Sequence, residues 1–449
     1  MQPHAKRDVS PQIRTKLPGI KAQRILKKDK KYISPSYTRS YPAVIEQGEG
    51  CWLWDVDGNK FLDFNAGIAV CATGHCHPEV VEAIRKQAGK LIHISGTDYY
   101  YPQQVKLAEK LAEITPGAKN KKVFFCNSGT EAVEGAFKLA RYYTKRHFAI
   151  AFLGSFHGRT MGALSLTGSK FIQKKGFGPL ISGVFHCPYA NCYRCAYNLE
   201  YPKCNLYCVD YIEEELFKKV CVPEEVCAIF AEPIQGEGGY ICPPPDYFKK
   251  IRELCDKYGI LLIIDEVQSG FGRTGKMFAI EHYGVMADIY CVAKGIASGM
   301  PLGAFISKSS VMNWEPGAHA STFGGNPISC MAAMATIRLL ENGLIENAER
   351  IGNYLLKNLE EMANRYDFIG DVRGKGLMIG IELVEDQISK KPVPEKRNAV
   401  VYKCFEKGLI ILGCGATTIR FSPPLVVTKE EADIALEIFE KSLKEVFKS

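Results

Sequence analysis

Gly259-Ile-Leu-Leu-Ile-Ile-Asp265 sets five apolar residues in a row between a glycine and a carboxylate. Nothing polar interrupts residues 260–264, so neither face is suited to water and the segment reads as a strand covered on both sides. Five further short apolar runs have the same character, at residues 123–126, 148–153, 227–231, 289–293 and 302–307. Between several of them lie amphipathic stretches, such as 131–142 and 247–258. Doubly buried strands separated by helices predict an α/β fold with a mostly parallel sheet. In such sheets ligands gather at the carboxyl ends of the strands. Asp265 stands at one such end and Lys294 at another.

The C-terminal third has a different rhythm. Helices are predicted over 328–343 and 346–366, a strand over 377–383, and a helix over 397–407. A strand over 417–421 and a closing amphipathic helix over 429–447 complete it. Near the start, segments 51–55 and 60–63 flank the turn Asp57-Gly58-Asn59 and predict a hairpin. The expected division is a large domain over 66–330 and a smaller α+β domain built from 1–65 and 331–449.

Composition is that of an ordinary water-soluble chain: 449 residues, 46% apolar and 24% charged, with 41 Gly and 23 Pro. No run of about 20 uninterrupted apolar residues appears, and the basic N-terminus lacks the apolar core of a secretory signal. A cytoplasmic location and no membrane partner are therefore expected. The net charge of +8 is concentrated in residues 1–31, which hold ten Lys or Arg against Asp8 and Asp29. Without aromatic interleaving or a nucleic-acid-binding motif this segment reads as a solvated tail, and no nucleic-acid partner is expected.

Three short motifs carry chemistry. Asn127-Ser128-Gly129-Thr130-Glu131 follows a strand and opens a helix, where free backbone N–H groups can cradle a phosphate. Ser and Thr are also common helix caps. Asp265 needs a cationic or hydrogen-bonding partner at its buried strand end. Either a structural ion pair or an electron-accepting pyridine ring would satisfy it. Lys294 ends its own strand, where desolvation makes an amine a usable nucleophile. Together the three describe a site for a phosphorylated aldehyde cofactor.

At this point the chain resembles the class III, or omega, aminotransferases, the group that includes ornithine, acetylornithine and 4-aminobutyrate aminotransferases. The resemblance runs from about Gly48 to the C-terminus. It rests on Ser128-Gly-Thr-Glu131, Phe156-His-Gly-Arg159, Ala231-Glu-Pro-Ile-Gln-Gly236, the run at Asp265, Lys294, and Ser321-Thr-Phe-Gly-Gly-Asn-Pro327.

The resemblance implies the pyridoxal-phosphate transferase fold of type I, its large domain built on a mostly parallel sheet of the seven-stranded type. It implies pyridoxal 5'-phosphate as cofactor, joined to Lys294 as a Schiff base, and no metal in the site. Asp265 would pair with the ring nitrogen and Gln268 would lie near the phenolic oxygen. Ser128, Gly129 and Thr130 would hold the phosphate, with Phe156 and His157 at the ring. Thr322 would reach the phosphate of a neighbouring subunit, which makes a homodimer or a higher homo-oligomer the expected assembly.

For substrates, the resemblance implies that Arg420 grips a carboxylate of glutamate or 2-oxoglutarate and that Glu232 is its switch partner. Arg159 would take the other carboxylate. The expected reaction moves an amino group, for instance the terminal one of ornithine, 4-aminobutyrate or lysine, to 2-oxoglutarate. Ile68 stands where ornithine enzymes often carry Tyr and 4-aminobutyrate enzymes carry Ile. Asp98, if it faces the pocket, would pair with a distal ammonium and favour a diamino acid. Amino-acid racemases and epimerases share this fold, and Lys294 with Asp265 would serve either chemistry.

Seventeen cysteines are many. Most sit singly in apolar segments and read as small core residues. Cys187, Cys192, Cys195, Cys204 and Cys208 form a cluster in what looks like an insertion. Its short paired spacings suit a structural zinc site, disulfides or free thiols, and no catalytic role is assigned to it.

Overall fold

A computed structural model of the protein describes residues 10–448. Its centre is a seven-stranded sheet in the order Lys121–Cys126, Gly303–Lys308, Ile289–Val292, Leu261–Asp265, Val226–Ala231, Phe148–Phe152, Val184–Cys187. Gly303–Lys308 runs antiparallel to both neighbours and every other pairing between the strands after it is parallel. The expected mostly parallel α/β sheet is thus what forms, with the edge strand Val184–Cys187 added beyond the six that the apolar runs indicate.

Side-chain alternation explains why the strands read as continuous apolar runs. Along Leu261–Asp265, Ile263 packs with Ala132, Ala136 and Leu139 of the helix Gly129–Thr144 on one face. Leu262 and Ile264 enter the main core on the other. All three are fully buried, each contributing about 2 kcal/mol of apolar burial.

Two smaller sheets flank this one. The first joins Ile45–Glu49, Trp52–Asp55 and Lys60–Asp63 to Leu409–Ile410, so the predicted hairpin forms and is extended by a strand from the far end of the chain. The second is antiparallel, in the order Ile369–Lys375, Met378–Leu383, Thr418–Phe421, Leu412–Cys414. Its strand Thr418–Phe421 carries Arg420.

One local reading changes. The expected solvated tail contains the helix Ile20–Tyr32, whose first turn is held by Asp57: its carboxylate accepts from the backbone N–H groups of Lys21 and Ala22, at 2.9 Å each. The part of the tail before residue 10 lies outside the described residues. The helical stretch Pro327–Arg365 holds an 18-residue window apolar enough to cross a bilayer, but half of that window is buried in the protein. It breaks at Gly343, whose φ of 114° suits only glycine comfortably, giving the helices Pro327–Leu339 and Ile345–Arg365.

Candidate active site

The strand ends converge on a cavity of about 420 Å³ lined by Ser128, Gly129, Thr130, Phe156, His157, Arg159, Glu232, Asp265, Gln268 and Lys294, among others. Its volume suits a small cofactor with part of a substrate.

At one end stands the start of the helix Gly129–Thr144. Ser128 caps it, its hydroxyl accepting from Glu131 N at 3.3 Å, while the Glu131 carboxylate reaches back to Asn127 N at 2.7 Å. The next N–H, of Ala132, bonds Ser128 O. The amides of Gly129 and Thr130 are thus left for an anion, as helix starts provide. Gly158 lets the neighbouring loop close in: with φ at 139°, a Cβ there would lie 2.2 Å from Thr130 Oγ1.

Asp265 lies on the cavity floor, nearly fully buried. Its Oδ1 accepts from Val267 N at 3.0 Å and its Oδ2 faces His157 Nδ1 at 2.8 Å. Burial alone would lower the His157 pKa, but the hydrogen bond to Asp265, with the charges of Asp265 and Glu232, raises it. His157 therefore serves as a support that orients the carboxylate. Each oxygen keeps a lone pair free for a protonated ring nitrogen.

Lys294 follows the strand Ile289–Val292 in a left-handed conformation, φ 43°, that a non-glycine residue adopts only at a cost of roughly 1–3 kcal/mol. Burial lowers the pKa of its amine, a shift opposed by the nearby carboxylates Asp265, Glu232 and Glu237. Gln268 is fixed by Tyr240, whose hydroxyl donates to Oε1 at 2.9 Å. An amine whose charged form burial disfavours, a supported carboxylate and free helix-start amides are the donor set pyridoxal phosphate needs.

The structure corrects the predicted partner of Arg420. Glu232 turns back into its own loop, accepting from Phe156 N at 3.0 Å and Gly236 N at 2.9 Å, and it does not touch Arg420. Burial pushes its carboxyl up to about 7, helped by Asp265 and opposed by His157. The residue paired with Arg420 is Glu237, at 2.8 Å, and Glu237 also meets Lys170 at 3.1 Å. Burial would raise the Glu237 pKa, but the two cations hold it down at about 2. Sequence reasoning missed Glu237 and Lys170. No sequence signal separates Glu237 from Glu232; the backbone bonds from Phe156 and Gly236 that occupy Glu232 do so only in the folded chain.

Other expected residues fall elsewhere. Arg159 is exposed at the rim, its guanidinium 5.9 Å from the Phe156 ring. Ile68 lines an adjoining cavity of about 550 Å³. Asp98 is exposed in a turn, its N–H bonding Ser95 O at 3.2 Å; it lines neither cavity, and the next helix starts only at Pro102. Thr322 is exposed, beside Ser321, which bonds Asn127.

This fold and this site define a pyridoxal-phosphate-dependent enzyme. The pattern of the family described as aminotransferase class-III matches residues 32–443. The chain is 43% identical over 425 residues to an acetylornithine aminotransferase of Caldanaerobacter subterraneus subsp. tengcongensis, covering 93% of this chain and 98% of the relative. It is 41% identical over 444 residues to an alanine/serine racemase of Pyrococcus horikoshii, covering 97% and 93%. The crystal structure of an amine transaminase from an uncultivated Pseudomonas species, in its PLP-bound form, superposes with a TM-score of 0.85 at 32% identity, covering 92% of this chain and 98% of that one. The chain belongs to the class III aminotransferase family.

Proposed function

We propose that this enzyme transfers an amino group from a donor such as ornithine, 4-aminobutyrate, lysine or a related omega-amino acid to 2-oxoglutarate, and that it works as a homodimer or higher homo-oligomer. The observation that carries this reading is the buried pair of Arg420 and Glu237. A donor presenting an uncharged or cationic end leaves Arg420 neutralised by Glu237. A dicarboxylate such as 2-oxoglutarate displaces Glu237 and takes the guanidinium in a charge-assisted pair. Lys170, already 3.1 Å from the other Glu237 oxygen, keeps the displaced carboxylate compensated.

The cofactor, when bound, supplies an electrophilic aldehyde and an electron-accepting ring. Ser128, Gly129 and Thr130 would hold its phosphate, Asp265, with His157 behind it, would keep the ring nitrogen protonated, and Gln268 would serve the phenolic oxygen. Phe156 would pack against the ring. Lys294 would supply the nucleophilic amine, and its Nζ would take up the proton that leaves the donor carbon. Arg159 at the rim binds the second carboxylate. The exposed Thr322 is the residue this reading gives to the phosphate of a second copy of the chain.

The test is direct. Each donor is supplied with 2-oxoglutarate and glutamate formation is followed; no glutamate from any of them would remove the proposal. The racemase relative supports a second reading, in which Lys294 serves proton exchange on one amino acid. Interconversion of enantiomers without a keto acid would favour it.

A further inference from the structure

The cysteine-rich segment takes no part in the site above. Between the strand Val184–Cys187 and the helix Tyr207–Tyr211 the chain forms the short turn Cys192–Arg194 and further turns, with no longer helix or strand. Its own backbone hydrogen bonds close only short turns, such as Arg194 N to Asn191 O and Cys204 N to Glu200 O. Yet Cys192, Cys195, Cys204 and Cys208 all line one cavity of about 20 Å³, together with Tyr197 and Tyr201. That is room for one water molecule or one ion and for no organic ligand. All four cysteines thus border one shared space. None is in a disulfide.

We infer that Cys192, Cys195, Cys204 and Cys208 bind one soft divalent cation of the zinc class as a four-thiolate structural site. The spacings Cys-x2-Cys and Cys-x3-Cys present the sulfurs in two short pairs, as tetrahedral thiolate sites use them. Among the described residues no three such side chains already stand at ligand spacing. Binding draws the thiols inward around the cavity they line. Each sulfur–metal bond replaces an S–H bond, and the proton goes to solvent. Two separate disulfides would not need an ion-sized cavity lined by all four cysteines.

The site stands behind the loop that carries Glu237. Tyr189 donates its hydroxyl to Glu232 O at 2.8 Å, and Arg194 pairs with Glu382. Glu382 also holds Arg373 at 2.8 Å, and Arg373 donates to Gly239 O at 2.6 Å. A metal staple would fix the segment from which these contacts start.

The experiment uses the full-length holoenzyme, prepared reduced, exposed to excess Zn²⁺ and desalted. Metal content, native and denatured mass, and alkylation of each thiol are measured. The expected result is about one zinc per chain, protection of the four thiols, and a higher Tm with zinc than after chelation. Cys192→Ser and Cys204→Ser should each lose the zinc, and Cys76→Ser, at an exposed cysteine outside the cluster, should keep it. Wild-type protein that retains no zinc and alkylates at all four positions would overturn the site. So would a mass deficit of two hydrogens per disulfide, or zinc retained by both cluster variants. If the variants do not fold, the wild-type measurements still decide.

Discussion

Glu237 and Arg420, 183 positions apart in the chain, meet at 2.8 Å with the guanidinium almost wholly buried. The pair joins the loop after the strand Val226–Ala231 to the strand Thr418–Phe421, and hence the central sheet to the antiparallel one. A buried ion pair adds little over an apolar contact but is costly to break from one side. Such a pair suits a site that must alternately hide and offer a positive charge.

Glu237→Gln leaves Arg420 charged and uncompensated. It should lower stability by about 3 kcal/mol at neutral pH, measured by denaturant unfolding. The difference from wild type should persist above pH 4.5 and shrink as pH falls toward 2, because the folded Glu237 pKa is depressed to about 2. Arg420→Met should raise the KM for 2-oxoglutarate by about 10- to 100-fold, the worth of a charge-assisted bond, with a smaller effect on 4-aminobutyrate.

Glu232 carries the opposite sign. Its folded pKa of about 7 lies above its ordinary 4.5, so the folded state favours the protonated acid. Its contribution is fully present below pH 4.5 and is lost as pH rises through 7, a change of about 3 kcal/mol. Glu232→Gln should flatten that part of the stability–pH curve. An unchanged slope would show that folding does not move the Glu232 pKa.

Lys294→Ala should abolish turnover and the covalent hold on the cofactor. Borohydride reduction and peptide mapping should find the reduced cofactor on the Lys294 peptide of wild type and on no peptide of the variant. In the cofactor-free protein the Lys294 amine should titrate below its ordinary value of 10.5, since burial disfavours its charged form.

Gly158→Ala places a methyl group 2.2 Å from Thr130 Oγ1 at a φ of 139°. It should cost roughly 1–3 kcal/mol and weaken cofactor retention, because the loop can no longer close on the helix start. Gly89→Ala, where the new methyl meets only ordinary contacts at 3.7 Å, should be near neutral in a thermal melt.

How far the sequence could be read follows from which interactions are local. The strand at Asp265 was legible because both of its faces are buried, leaving no alternation to misread. The helix start at Ser128 was legible because capping is settled within four residues. The antiparallel direction of Gly303–Lys308 was not, since direction depends on how the chain returns and not on apolar content. The partner of Arg420 failed for a related reason. Two glutamates five residues apart have the same composition signal, and only the backbone bonds that occupy Glu232 leave the pairing to Glu237. Asp98 illustrates the same limit: its position near a site motif is local, but the turn it occupies carries it to the surface of its own chain.

The central claim, amino transfer, is tested most directly by a single half-reaction. Cofactor-loaded enzyme in substrate-level amount is mixed with L-ornithine, 4-aminobutyrate, L-lysine or L-leucine and no keto acid. Pyridoxamine phosphate and the enantiomers of each chiral amino acid are then quantified. The predicted result is stoichiometric pyridoxamine phosphate with unchanged chirality, fastest for the true donor. Repeated formation of the D-enantiomer with little pyridoxamine phosphate would contradict it and make the enzyme a racemase.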